Sequence, residues 1–376
     1  MKKIHLYSFL LLLCWGVTSC YDNDDIEDTN SFNLLEFTFP QGDNPWDKEI
    51  EQIAKDWGMY IIYKDVDEAA LNKGWADHYY NEPVYSCTTP SDEDVQLYLK
   101  LVKDWLLGSL DKTNEADRQQ LPLYLYIVND FKDSNPNSPS NGKHVMLKKD
   151  GMDYWSLSFL SEELQAGLSK EQIHKVACAF SYPGMVSRFE SGEYQIAEGF
   201  AALSDYETPI GTRYYSLEQW LEDNPWMEGQ EEVYEMMTSA HERDEVNAYK
   251  HRGFLPTVRE DFRLAADLEN PMFPTTSGAP TWMPWIPDVY GDDLVDYNPG
   301  PVAETVEERI FNDFLNTIRY AMVRSKEAIS QEFPLEVENQ YMKEGYGIIH
   351  QKYDMVVKHL KDNYNIDLTK YSEILK

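Results

Sequence analysis

The strongest constraint on the fold is a change in the spacing of apolar residues near Ser169. Before it, the short apolar runs Met59–Tyr63 and Leu121–Val128 predict strands, and residues 144–160 predict a hairpin that turns near Lys149–Gly151. From Ser169 onward, apolar residues recur mostly at helical spacing. Strands followed by helices predict an α+β fold with a small sheet lobe and a larger helical lobe. Sites usually lie in clefts between such lobes.

The same patterns predict the individual helices. In the sheet lobe, Asp47–Trp57 carries one apolar face, and Ser91 with Asp94 resembles a capping box that opens a second helix. The segment Pro271–Pro301 has many prolines and no period, which predicts an irregular stretch. The helical lobe is predicted to contain helices at about Ser169–Ser181, Glu193–Ser204, Leu217–Asp223, Glu231–Lys250, shortly after Arg259, Ala303–Glu332 and Leu335–Asn363.

The N-terminus has the layout of a secretory signal. Lys2 and Lys3 precede the apolar run Leu6–Trp15, which is too short to span a bilayer. The run ends in Val17-Thr18-Ser19-Cys20, which resembles the cleavage motif of bacterial lipoproteins. That resemblance implies a signal peptide at 1–19 and a lipid on Cys20 that anchors the mature chain to a membrane.

The residues that follow Cys20 predict how the mature chain is organised. Residues 20–31 are acidic and lack apolar periodicity, so we expect a solvated tether. The tether resembles the export tag of surface lipoproteins from Sus-type glycan-uptake systems, and Tyr21 at the second position resembles outer-membrane sorting. The folded domain is then predicted at 32–376, with the sheet lobe at about 32–165 and the helical lobe at about 166–376.

The charge balance excludes one class of partner. The chain has 66 Asp and Glu against 33 Lys and Arg, a net charge of −33, so it lacks the cationic surface that nucleic-acid binding requires. An apolar fraction of 42% is too high for a disordered acidic chain, so a core is expected. Besides Cys20, the mature chain has only Cys87 and Cys178, and the sequence leaves open whether they pair.

The segment Lys170-Glu171-Gln172-Ile173-His174, followed by Tyr182-Pro183, is the candidate for chemistry. In the motif His-Glu-x-x-His, two histidines one helical turn apart bind Zn²⁺ and the glutamate takes a proton from the metal-bound water. Glu171 and His174 stand in the second and third of these positions, but Lys170 stands in the first. A lysine ammonium has no lone pair for a metal.

Four segments of the chain resemble a family of candidate zinc-binding metallopeptidase lipoproteins found beside Sus-like glycan-uptake genes. They are the strand and helix pattern from Trp57 to Asp130, the helix before Tyr182-Pro183, Arg252-Gly253-Phe254-Leu255-Pro256 with Glu260-Asp261-Phe262, and Ile349-x-x-Lys352-x-x-Met355-Val356 with Asn365-Ile366-Asp367-Leu368. The resemblance covers most of the mature chain. It implies a zincin-like fold of the gluzincin type and a zinc-dependent peptidase activity.

The resemblance also implies a site, which this chain alters. It puts the first histidine ligand on Lys170, the catalytic base on Glu171, the second histidine ligand on His174 and the third ligand on Glu260. The family's closing Ala-Glu of the later helix is replaced by Arg263-Leu264. With His174 and Glu260 as the remaining ligands, we expect zinc to bind weakly or not at all, and Lys170 to pair with Glu171 or Glu260.

Two other readings of the motif stay open. A shifted register uses His174 and Cys178 as ligands and puts Lys175 where the base belongs. A separate near-match, His241-Glu242-Arg243-Asp244-Glu245, has metal-binding residue types at helical spacing, although its acidic surroundings favour a solvated helix face.

Three functions are therefore predicted as alternatives. The first is a surface lipoprotein that has lost peptidase activity and has an accessory role beside an outer-membrane glycan-uptake complex. The second is an active zinc metallopeptidase with unusual ligands. The third is a glycan-binding lipoprotein that uses exposed aromatic residues such as Trp282, Trp285 and Tyr290, although a segment wrapped into the core is the favoured explanation of those residues.

Overall fold

A computed structural model describes residues 37–74, 79–210, 248–258 and 303–376, with short pieces of 217–232 and 276–295. The predicted signal, the predicted lipidation site Cys20, the predicted tether, Glu260 and the near-match at 241–245 lie outside the described residues. None of the described helices is long and apolar enough to cross a membrane.

The sheet lobe is built on one mixed sheet. The described strands are β1 (Tyr60–Ile62), β2 (Tyr85–Thr88), β3 (Tyr124–Asp133), β4 (Leu147–Lys148), β5 (Tyr154–Phe159), β6 (Thr257–Val258), β7 (Thr276–Ser277), β8 (Asp288–Tyr290) and β9 (Asp293–Val295). Strands β1 to β5 form this sheet in the order β1-β3-β5-β4, and β2 also pairs with β3. Strands β6 and β7, and strands β8 and β9, form two separate pairs. β1, β3 and β5 are parallel, whereas β2 and β4 run antiparallel to their neighbours. The predicted strands at 59–63 and 121–128 and the hairpin at 144–160 are confirmed in β1, β3 and β4–β5.

Ten helices are described in these parts of the chain. They are α1 (Pro45–Trp57), α2 (Glu68–Leu71), α3 (Asp92–Leu101), α4 (Glu115–Gln119), α5 (Ser161–Ala166), α6 (Lys170–Glu190), α7 (Val306–Val323), α8 (Lys326–Glu332), α9 (Gln340–Tyr364) and α10 (Thr369–Ile374). A π-helical turn at Val102–Leu106 follows α3 directly. The arrangement is α+β, with a small mixed sheet and many helices.

The central strand β3 is covered on both faces. Leu125 and Ile127 pack into a core with α1 and α3, and Tyr124 and Tyr126 pack into a second core with α2 on the opposite face. A strand buried on both sides needs apolar residues at nearly every position rather than at alternate ones. This requirement explains the unbroken apolar run that made the strand visible in the sequence.

Helix α6 joins the two lobes. Val176 and Phe180 belong to the core under the sheet, while Tyr182, Val186 and Phe189 belong to the core of the helical lobe. A helix that is apolar on all sides must be buried on all sides. The helix that carries the candidate motif is therefore a central packing element of the fold.

The helical lobe confirms the predicted long helices but changes their bounds. The single helix predicted at 303–332 is two helices, because Ser325 begins α8 by accepting a hydrogen bond from the backbone N–H of Ala328. The helix predicted at Glu193–Ser204 is wrong, since only the short 3₁₀ turn Phe200–Leu203 forms there. Gly199 has a φ of 83°, which places it outside the helical region of the backbone.

Candidate functional site

The start of α6 accounts for two of the motif residues. Ser169 Oγ accepts a hydrogen bond from the backbone N–H of Gln172 at 3.1 Å, and Gln172 Oε1 accepts one from the backbone N–H of Ser169 at 2.8 Å. Lys170 and Glu171 are exposed in this first turn. A carboxylate near a helix N-terminus interacts favourably with the helix dipole. Glu171 thus suits the beginning of a helix without any metal.

His174 is buried and hydrogen-bonded to the end of another helix. Its side chain is 1% exposed, and Nε2 lies 2.8 Å from the carbonyl oxygen of Met322. The carbonyl can only accept, so Nε2 carries the proton and donates. Helix α7 ends at Val323, and the last carbonyls of a helix have no partner within it. His174 therefore caps α7, and burial lowers the pKa of its imidazole, which favours the neutral form.

The described motif positions do not fit a zinc site. The ammonium of Lys170 has no lone pair, and Glu171 is exposed in the first helical turn. Nε2 of His174 carries a proton and donates it to the carbonyl oxygen of Met322. No group of three or more His, Cys, Asp or Glu residues able to hold a metal is present in the described ranges. Glu260 is outside those ranges, so its role as a third ligand stays a prediction.

The shifted register is brought together in space but not in a form suited to a metal. Cys178 Sγ lies 3.5 Å from His174 Nε2, one helical turn further on. Complete burial raises the pKa of the Cys178 thiol well above its ordinary value, and only the thiolate is a metal ligand. Cys87 and Cys178 are both free, and burial raises the pKa of Cys87 to about 11.

The pair Tyr182-Pro183 also has a structural explanation. The helix predicted to end at Ser181 runs on to Glu190 through Pro183. Pro183 has no N–H, so the carbonyl of Ala179 one turn earlier loses its helical donor. Lys149 Nζ replaces that donor at 2.6 Å from the Ala179 oxygen.

The ammonium of Lys149 lies close to two aromatic rings. Its Nζ lies 4.6 Å from the centroid of the Trp155 ring and 5.7 Å from that of Phe180. Ring faces attract a cation, while burial lowers the pKa of Lys149 to about 8. The part of α6 that precedes Pro183 and the hairpin that carries Lys149 are thus tied together by one hydrogen bond.

Lys352, in a buried ion pair, joins two more of the segments that carry the resemblance. Lys352 Nζ lies 2.7 Å from Asp313 Oδ2, and both side chains are fully buried. Tyr206 donates its hydroxyl to the same carboxylate oxygen at 2.7 Å. The ring of Phe254 lies 4.5 Å from Lys352 Nζ. Burial lowers the pKa of Lys352, and the negative charge of Asp313 opposes that shift. Sequence reasoning missed Asp313 and Tyr206, because neither stands in a recognisable motif.

Two glycines allow the segment 250–256 to lie close to helix α9. Gly253 has a φ of 79°, and a Cβ built there would lie 2.2 Å from the side chain of Ile348. A Cβ at Gly345 would likewise lie 2.2 Å from the carbonyl oxygen of Lys250. Arg252 holds the loop by donating to the carbonyl oxygens of residues 208 and 209. The Arg-Gly-Phe-Leu-Pro segment is therefore a packing motif.

The interlobe cleft is the largest of the described cavities, at about 670 Å³. Arg188 lies in it and donates to Asp117 and to the hydroxyl of Tyr194. The π-helical turn at 102–106 brings Trp105 to the cleft, and such turns are frequent at functional sites. The cleft is lined by Trp57, Asp104, Trp105, Gly108–Lys112, Asn114, Asp117, Arg188, Glu193, Tyr194, Asn363–Asp367, Lys370 and Tyr371.

The aromatic residues proposed from the sequence as a glycan platform are not all exposed. Trp282 is 5% exposed and packs in a small core with Tyr206 and Phe254, so its prediction as an exposed platform is wrong. The side chains of Trp285 and Tyr290 lie outside the described residues. Exposure of an aromatic side chain depends on tertiary packing, which the local sequence does not show.

Comparison with known proteins gives one distant match. No family model matches the chain, and no curated protein sequence matches it. The chain is similar to a crystal structure of a candidate zinc-binding metallo-peptidase from Bacteroides caccae, with 12% sequence identity and a TM-score of 0.35. The match covers 89% of this chain and 92% of that one. At this level of similarity, we draw no inference about function from it.

Proposed function

We propose that the chain is a surface-anchored lipoprotein with a zincin-like fold of the gluzincin type that has lost zinc-peptidase chemistry. Its role is accessory, beside an outer-membrane glycan-uptake system. The fold and the setting rest on the resemblance of the four segments, and the anchor rests on the signal-like run that ends at Cys20. The loss of chemistry rests on the contacts of the motif helix.

The observation that carries the proposal is the hydrogen bond from His174 to the carbonyl oxygen of Met322. A zinc ligand needs a nitrogen lone pair directed at the metal, together with a second histidine one turn away. Here the nitrogen is a donor inside the core, and Lys170 stands where the motif's other histidine, the first, belongs. The motif residues have kept their place in the fold while serving helix packing and capping.

Peptidase activity is the direct test of the lost chemistry. We expect the full mature protein, purified in detergent, to leave a diverse peptide library uncut both with and without a chelator. The matched variant Glu171→Gln should behave as the wild type does. Cleavage that a chelator abolishes, and that Glu171→Gln also abolishes, would instead support an active metallopeptidase with unusual ligands.

The anchor has an independent test. Cys20→Ala removes the sulfur that would carry the lipid, so we expect this variant to leave the membrane fraction, whereas the wild type stays in it. Surface exposure is then measured by adding a protease to intact cells. A wild-type protein found only in the soluble fraction would contradict the proposed anchor.

A further inference from the structure

The interlobe cleft has one wall from each lobe. Trp57 and Trp105 come from the sheet lobe, and Tyr194, Tyr364 and Tyr371 come from the helical lobe. Its volume of about 670 Å³ falls within the range of about 300–1,000 Å³ that is usual for pockets that bind small ligands. None of the motif residues at 170–174 lines the cleft, whereas two of the segments that carry the resemblance, Trp57–Asp130 and Asn365–Leu368, supply part of its lining.

The charges along the cleft are largely compensated within the protein. Each of the following pairs has one member in the cleft: Lys100 with Asp104 at 2.5 Å, Asp56 with Lys112 at 3.1 Å, and Lys361 with Asp367 at 2.9 Å. Arg188 pairs with Asp117, both of which line the cleft. Asp111 accepts from the N–H and the hydroxyl of Thr113 at 2.8 and 2.7 Å. A charged ligand would have to compete with these partners, whereas an uncharged polar ligand would not.

The aromatic rings of the cleft support one another. Tyr194 and Tyr364 are stacked with their centroids 3.8 Å apart, and Trp105 and Tyr371 lie 5.2 Å apart. Rings held by neighbouring rings lose little conformational entropy when a ligand binds. Tyr194 and Tyr371 are buried, whereas Trp57, Trp105 and Tyr364 are partly exposed and offer apolar surface. Asn114 Oδ1 accepts from the N–H of Ala116 and Asn363 Nδ2 donates to His359, which leaves each amide with further hydrogen-bonding capacity along the same cleft.

A ligand that matches this combination has both flat apolar faces and hydroxyl groups, and carries no charge. We propose that the interlobe cleft binds an uncharged oligosaccharide. The C–H face of a sugar ring would stack on Trp57, and sugar hydroxyls would hydrogen-bond to Asn114 and Asn363. This inference rests on the accessory role proposed above and names the class of ligand that the role involves.

Three variants test the cleft. Trp57 is half-buried, so Trp57→Ala removes a ring from one wall, and Asn363→Trp places a bulky side chain at an exposed position of α9 that lines the cleft. Trp226 is 70% exposed and does not line the cleft, so Trp226→Ala is the matched control for loss of a tryptophan.

The experiment screens the full mature protein in detergent against an array of neutral glucan, mannan and xylan oligosaccharides, together with anionic glycans and unmodified peptides. Calorimetry then measures Kd for the best neutral oligosaccharide. We expect Trp57→Ala to weaken binding at least about 10-fold, as loss of about 1.4 kcal/mol would, and Asn363→Trp to abolish it. Trp226→Ala should stay within about 2-fold of the wild type, since Trp226 does not line the cleft.

Several results would overturn the proposal. They are the absence of binding to every neutral oligosaccharide, selective binding of anionic glycans or peptides, and wild-type affinity in Asn363→Trp. Thermal melting identifies variants that fail to fold. If Trp57→Ala fails to fold, the affinity of Asn363→Trp decides the question.

The peptidase assay separates this proposal from the proposed loss of peptidase chemistry. Chelator-sensitive cleavage with intact oligosaccharide binding rejects the lost chemistry alone, and an uncut peptide library without oligosaccharide binding rejects the cleft alone.

Discussion

The motif helix and the interlobe cleft satisfy their polar groups in different ways. At the motif helix α6, His174 donates to the carbonyl oxygen of Met322, which lies at the end of α7 and has no donor within that helix. Lys149 donates to the carbonyl oxygen of Ala179, which Pro183 leaves without a donor within α6. In the cleft, polar side chains such as Asp111 and Asn363 hydrogen-bond to near neighbours in the chain and stay exposed at the wall of an open cavity. The contacts of the motif helix therefore hold distant parts of the chain together, whereas the cleft keeps exposed polar groups with capacity for a ligand.

The largest expected effect is on the buried ion pair. Asp313→Ala leaves the ammonium of Lys352 buried without its carboxylate, which costs about 3–5 kcal/mol of unfolding free energy. Urea denaturation measures this loss. The double variant Asp313→Leu with Lys352→Met removes both charges and should recover most of it. A loss below about 1 kcal/mol in Asp313→Ala would show that the pair does not hold the helical lobe together.

A double-mutant cycle tests the link between Lys149 and Pro183. Lys149→Met leaves the buried carbonyl of Ala179 without a donor, which should cost about 1–3 kcal/mol. Pro183→Ala restores an N–H to the helix, so Lys149→Met should cost much less in that background. Equal costs in the two backgrounds, measured by urea denaturation, would show that the lysine does not replace the missing helical donor.

The sequence predicted the parts of the fold that depend on local patterns. The apolar run of β3, the hairpin and the capping box of Ser91 with Asp94 were all visible, because they involve neighbours in the chain. The passage of α6 through Pro183 was not, since the compensating Lys149 is 30 residues away from Ala179. The role of His174 was hidden for the same reason, because Met322 is 148 residues away. Long-range pairs of this kind leave no local signal.

The pH dependence of stability tests the burial of His174. Burial lowers the pKa of this imidazole in the folded chain below the value of about 6.5 in the unfolded chain. As pH falls through about 6.5, the unfolded chain takes up a proton on this imidazole that the folded chain does not, so the free energy of unfolding falls. The slope for one proton is at most about 1.4 kcal/mol per pH unit.

His174→Gln keeps an N–H donor for Met322 but does not titrate. We therefore expect the unfolding free energy of this variant to fall less steeply between about pH 6.5 and pH 5 than that of the wild type. Urea denaturation at several pH values measures both slopes. Identical slopes would contradict a buried, neutral His174.

The smallest effect is expected at the start of α6. Glu171 is exposed in the first helical turn, so Glu171→Gln should change the unfolding free energy by no more than about 0.5 kcal/mol. Thermal melting of the two proteins side by side checks this. A large loss would mean that Glu171 has a buried partner, and would weaken the contrast between the motif helix and the cleft.

The central claim is that the motif helix serves packing and not metal binding. Its most direct test is the zinc content of the full mature protein, purified without chelators, measured by elemental analysis beside His174→Gln. We predict less than one equivalent of zinc in the wild type and no further loss in the variant, because Nε2 of His174 donates to Met322. One equivalent of zinc in the wild type that disappears in His174→Gln would contradict the account.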